Sequence, residues 1–101
     1  MAIKKQFTKT KPVCKVTFSI MSKQAQTASV VGDFNAWNAE AGQLAKLKNG
    51  TFKGVFEIPK ERSYEFRYII DGQYENEPEA DGFVYNDFAH SENSVLHTYQ
   101  K

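Results

Sequence analysis

From residue 14 to residue 20 apolar and polar positions alternate without a break. Cys14, Val16, Phe18 and Ile20 fall on one side, and Lys15, Thr17 and Ser19 on the other. Side chains of a strand point to opposite faces in turn, so this period of two predicts a half-buried antiparallel strand. The pattern returns twice. Phe52, Gly54, Phe56 and Ile58 alternate with Thr51, Lys53, Val55 and Glu57, and Pro59 ends the run. Tyr64, Phe66, Tyr68 and Ile70 alternate with Ser63, Glu65, Arg67 and Ile69, after which Asp71-Gly72 predicts a hairpin turn into Gln73-Tyr74. Shorter strands are expected over residues 27–31 and 94–99. Several short strands with turn chemistry between them and no long amphipathic helix predict an all-β sandwich in one domain.

The remaining stretches are less regular. Residues 1–12 are polar apart from Ile3 and Phe7 and run into Pro12. They are expected to form a flexible arm or an edge strand, with the sandwich occupying residues 13–101. In residues 38–50, Ala39, Ala41, Leu44, Ala45 and Leu47 fit one helical turn, which Gly42 keeps short, and Asn49-Gly50 signals a turn. Residues 75–90 read as a long irregular excursion. Its acids are expected in solvent, and its aromatics Phe83, Tyr85 and Phe88 pinned against the sandwich.

Composition narrows the function. The 101 residues are 41% hydrophobic, enough for a core without disulfides, and the single Cys14 has no partner within the chain. That favours a reducing compartment. No apolar h-region follows Lys4 and Lys5, and no apolar run is long enough to span a bilayer, so a cytoplasmic chain away from membranes is expected. With 13 basic and 12 acidic residues, nothing in the charge suggests nucleic acid as a partner. Cys14 sits in the alternating apolar set as a core thiol, and with His90 and His97 forms no metal-binding pattern; no cofactor is expected.

The stretch that carries chemistry is Gly32-Asp33-Phe34-Asn35-Ala36-Trp37. Gly32 is expected to turn the backbone at positive φ, Phe34 to fold back as a plug, and the only tryptophan to be carried outward. Asp33 and Asn35 read as turn-stabilising. An exposed flat ring beside amides suits a sugar, whose C–H face meets the ring while its hydroxyls meet the amides. Alternation turns Arg67 away from the core, and its guanidinium keeps its donors at every physiological pH.

Four pieces stand in order: this turn, then Tyr64-Glu65-Phe66-Arg67-Tyr68-Ile69-Ile70-Asp71-Gly72, then Tyr74 with Pro78, then Asn93-Ser94-Val95-Leu96. Together, over residues 13–98, they resemble family 48 carbohydrate-binding modules. That group includes the glycogen-binding domain of the AMP-activated protein kinase β subunit and the N-terminal early-set domains of isoamylases and branching enzymes. The resemblance implies an immunoglobulin-like (early-set) sandwich that binds α-1,4-glucan, glycogen or a maltooligosaccharide. It implies that Trp37 takes the place of the first stacking tryptophan and Tyr74 that of the second. Arg67 then falls where the kinase-type domain has a sugar-contacting lysine. Ser91 and Asn93 fall near a hydroxyl residue and an asparagine that hydrogen-bond sugar.

No catalysis is expected. Glycoside hydrolysis uses two carboxylates in a cleft, one with a raised pKa, whereas Asp71, Glu75, Glu77, Glu79, Asp81 and Asp87 read as residues of turns and a solvent-facing loop. The Met1 start leads us to expect a free-standing chain that works with a glycogen particle or a glycogen-metabolising enzyme; a piece of a larger glucan-active enzyme is the other arrangement. The competing class is an early-set sandwich kept as a protein-interaction module, for which an exposed Trp37 serves equally well.

Overall fold

The alternating run over residues 14–20 becomes β2 (Val13–Met21), in which Cys14, Val16, Phe18 and Ile20 are buried and the intervening residues face out. The computed structural model describes residues 2–7, 9–87 and 91–99. Around β2 lie β1 (Ala2–Phe7), β3 (Ala28–Gly32), β4 (Ala45–Lys46), β5 (Thr51–Pro59), β6 (Ser63–Ile70), β7 (Gln73–Glu75), β8 (Gly82–Asn86) and β9 (Ser91–His97). A 3-10 turn, Asp33–Asn35, follows β3. The strands form two antiparallel sheets, the first in the order β1-β2-β5-β4 and the second β3-β6-β9-β8. They pack face to face as a sandwich consistent with an immunoglobulin-like early-set domain. β7 continues the line of β9 along the same edge of β6.

The core forms where the two alternating patterns face each other. Phe18 is its hub, with Phe66 at 5.5 Å, Phe34 at 5.8 Å, Phe56 at 5.9 Å and Tyr68 at 6.1 Å between ring centroids. Such ring pairs contribute about 0.5–1.5 kcal/mol each beyond their buried area. Phe34 does fold back, stacking on Phe18 and meeting Tyr64 edge-on. The Asp71-Gly72 turn carries positive φ at both residues, 49° and 84°, as a two-residue turn matched to strand twist requires.

Several expectations need correction. Residues 38–50 contain no helix; they follow the edges of both sheets, with Gln43 bridging Ser29 before β4 joins β5. The excursion over residues 75–90 contains β8, and its Phe83 and Tyr85 are exposed rather than pinned; Phe88 and His90 lie outside the described residues. Glu77 is not in solvent. It is fully buried, accepting the Tyr68 hydroxyl at 2.7 Å and the Glu79 N–H at 3.0 Å, while its own N–H donates to Ser94 Oγ. Burial first, and then the Glu77 acceptor and its charge, push the Tyr68 phenol far above its usual value. These partners let a carboxylate sit beside an aromatic core, since buried polar groups are tolerated when paired.

β1 is the outer strand of the first sheet, paired with β2 from Ala2↔Ser19 to Phe7↔Cys14. Its Lys5 reaches across to the second sheet, to Asp81 Oδ2 at 2.6 Å. Partial burial acts to raise the Asp81 carboxyl, but the His97 N–H and Lys5 outweigh it and hold the group below its usual value.

Candidate functional site

The site begins with the turn after β3. Asn35 pins it to the strand twice, its Oδ1 accepting the Gly32 N–H at 3.0 Å and its Nδ2 donating to the Val30 carbonyl at 3.0 Å. Gly32 itself is extended (φ −174°), so the expected positive φ is not there. It is borne instead by Ala36 (56°) and Trp37 (58°). The reason for glycine at 32 is close approach: a Cβ would stand 2.6 Å from the Glu65 carbonyl oxygen and 2.7 Å from Phe66 Cβ.

From this turn Trp37 stands 39% exposed, with its indole N–H donated to Asp33 Oδ1 at 3.1 Å. The other Asp33 oxygen accepts the backbone N–H of Glu65 at 2.9 Å, which ties the turn to β6.

On β6, Tyr64, Phe66 and Tyr68 face the core, so Glu65 and Arg67 face out. Arg67 uses its planar fork twice, Nε donating to Asn93 Oδ1 and Nη2 to Ser91 Oγ. Two donors of fixed relative direction suit this double contact, which a lysine ammonium could not hold with the same geometry. Asn93 is only 2% exposed, and its Nδ2 donates to Glu65 Oε1 at 3.0 Å, so both ends of a desolvated amide are satisfied. Tyr74 lies opposite Ile69 in the β6–β7 pairing, on the same outward face. Its ring is 60% exposed with the Arg67 guanidinium 5.9 Å from its centroid, a cation–π arrangement. In the neighbouring strands Val31 stands beside Arg67 and Val95 beside Glu65, both buried yet outside the intersheet core.

Four of the five residues singled out in the sequence, Arg67, Tyr74, Ser91 and Asn93, therefore meet in one group on the second sheet. Trp37 joins that group through Asp33 and Glu65 rather than by direct contact. Glu65 and the double role of Asp33 were not anticipated as parts of it. A signal for Asp33 was present in the spacing of an acid four residues before an indole. Glu65 becomes visible only once β6 and β9 are paired.

Elsewhere the chemistry is sparse. Among the described residues no group of three or more His, Cys, Asp or Glu side chains is placed to hold a metal ion. His97 Nδ1 pairs with Ser63 Oγ at 2.8 Å, and burial pushes the Cys14 thiol up, away from a reactive thiolate. Among the described residues no helix is long and apolar enough to cross a membrane.

The family model for carbohydrate-binding module 48 (isoamylase N-terminal domain) matches residues 6–89, and the chain belongs to that family. Membership places it among non-catalytic carbohydrate-binding modules. No curated protein matches the chain.

Proposed function

Taking family 48 membership as the premise, we propose that this chain binds α-1,4-linked glucan, glycogen or a maltooligosaccharide, in the cytoplasm and without catalysis of its own. Trp37 and Tyr74 stack on glucose rings; Arg67 and Ser91 hydrogen-bond hydroxyls, while Asn93, 2% exposed, serves by holding the Arg67 guanidinium in place. The observation that carries this reading is the joining of Arg67, Asn93 and Ser91 into one hydrogen-bonded rank beside the exposed Tyr74 ring. A sugar offers alternating C–H faces and hydroxyls, and this surface offers rings beside donors and acceptors whose directions are already set.

Two exposed rings make a weak single site, so retention on a glycogen particle comes from many chain ends presented together, or from a glycogen-metabolising enzyme held nearby. Affinity electrophoresis in gels with and without glycogen tests the reading. Wild type is expected to be retarded, and folded Trp37→Ala to run as in the glycogen-free gel. Absence of wild-type retardation at high glycogen overturns the glucan reading and leaves the exposed rings as a protein-contact surface.

A further inference from the structure

Trp37 needs an external tether. It follows Ala36 in the left-handed region, and two successive non-glycine residues stay there only when their surroundings hold them. The backbone is held by the Trp37 N–H donated to the Gly32 carbonyl at 2.9 Å. The ring is a separate matter. Standing 39% exposed, it is only partly held by packing, and its one polar atom, the indole N–H, is a donor that needs an acceptor to fix its direction.

Asp33 supplies the acceptor. One oxygen takes the indole N–H at 3.1 Å and the other the Glu65 N–H at 2.9 Å. The side chain of Glu65 in turn holds Asn93, and Arg67 holds the other end of that amide. A single carboxylate thus stands between the tryptophan and the strand that carries the polar rank.

We propose that Asp33 is a positioning residue. It fixes the Trp37 ring relative to β6, so that ring and polar rank are presented in one arrangement before a sugar arrives. It touches no sugar itself. Its effect is preorganisation, which strengthens binding by removing the cost of ordering the ring on contact. The consequence for affinity rests on the glucan reading above, whereas the tether does not.

Asp33→Asn tests it, because the shape is kept while one oxygen becomes a donor. Whichever way the amide turns, either the indole N–H or the Glu65 N–H faces another donor. Trp37 is the only tryptophan, so its indole N–H gives one unambiguous NMR signal and its ring all of the tryptophan fluorescence. In wild type the indole proton is expected to exchange with solvent more slowly than in a free indole. In folded Asp33→Asn the exchange rises towards the free rate, fluorescence anisotropy falls, and retention by glycogen weakens roughly tenfold, the scale of one lost charge-assisted hydrogen bond. In a Trp37→Phe background, which keeps a ring without the N–H, Asp33→Asn adds no further loss of retention.

A folded Asp33→Asn with unchanged indole exchange and anisotropy overturns the proposal, even if its melting temperature drops. Should the variant not fold, the wild type decides: indole exchange at the free rate overturns the tether. If the tether stands and wild type is not retained by glycogen, the glucan reading fails and the positioning role remains.

Discussion

On the outer face of the first sheet, Lys4, Thr17 and Val55 lie side by side in one row and Ala2, Ser19, Lys53 and Ala45 in the next. On the outer face of the second, Val31 neighbours Arg67 in one pairing and Asn93 neighbours Val84 in another. Both faces come from the same alternation of apolar and polar residues, yet Val55 on the first is 56% exposed while Asn93 on the second is 2% exposed. The first face keeps its lysines in water. The second has drawn Asn93 out of water and bonded it to half-buried neighbours, Glu65 on one side and Arg67, itself bonded to Ser91, on the other. A solvated side chain can be removed at little cost. Removing a partner of the buried Asn93 strands a desolvated amide, and that penalty exceeds the average worth of a hydrogen bond.

Arg67→Ala is the strongest way to break this contrast. It leaves the Asn93 carbonyl oxygen without its donor, so urea unfolding is expected to show a loss of about 1–3 kcal/mol, with glycogen retention lost as well. The mirror change, Lys53→Ala on the first sheet, is expected to stay within about 0.5 kcal/mol of wild type and to leave retention intact. Equal effects from the two variants would erase the distinction between the faces.

Tyr68→Phe sharpens the contrast from inside. It deprives the buried Glu77 of its 2.7 Å donor but leaves the outer face alone. Stability is expected to fall by about 1–3 kcal/mol, while retention of the folded protein is unchanged, which separates a polar set that supports the fold from one that faces a ligand.

The smallest effect is expected at Asp71. The N–H groups of Thr27 and Gln26 hold its carboxyl below the usual value. A carboxyl with a folded pKa below its unfolded value of about 4 stabilises the fold above that pH. The contribution is lost as pH falls through the folded pKa. Wild type should therefore lose stability in acid below about pH 4, and Asp71→Asn should flatten that limb in denaturation series from pH 2 to 7 without changing glycogen retention.

The long strands were legible because period two needs no knowledge of the partner: a residue on the apolar side of β2 is buried whichever sheet it meets. Glu77 was not legible. What sets it apart from neighbouring acids is its place under the Tyr68 hydroxyl and against Ser94, and these come from β6 and β9. Phe83 and Tyr85 were misread for the converse reason. Aromatic residues imply burial on average, but β8 lies at the end of its sheet's strand order. Gly32 shows a third case, in which the residue was recognised and its reason mistaken: contact with Glu65 and Phe66 excludes a Cβ, while Ala36 and Trp37 carry the left-handed backbone.

Read alone, the chain determined an all-β sandwich, the outward direction of Arg67, and the turn that carries Trp37. Each follows from local alternation or local turn chemistry. Only the tertiary structure decided that Arg67, Asn93 and Ser91 share one hydrogen-bonded group, that Asp33 ties Trp37 to β6, and that Glu77 is buried. These depend on which strands become neighbours and in what register. Pairing between distant segments is set by the competition of whole faces for the core, which no local pattern contains.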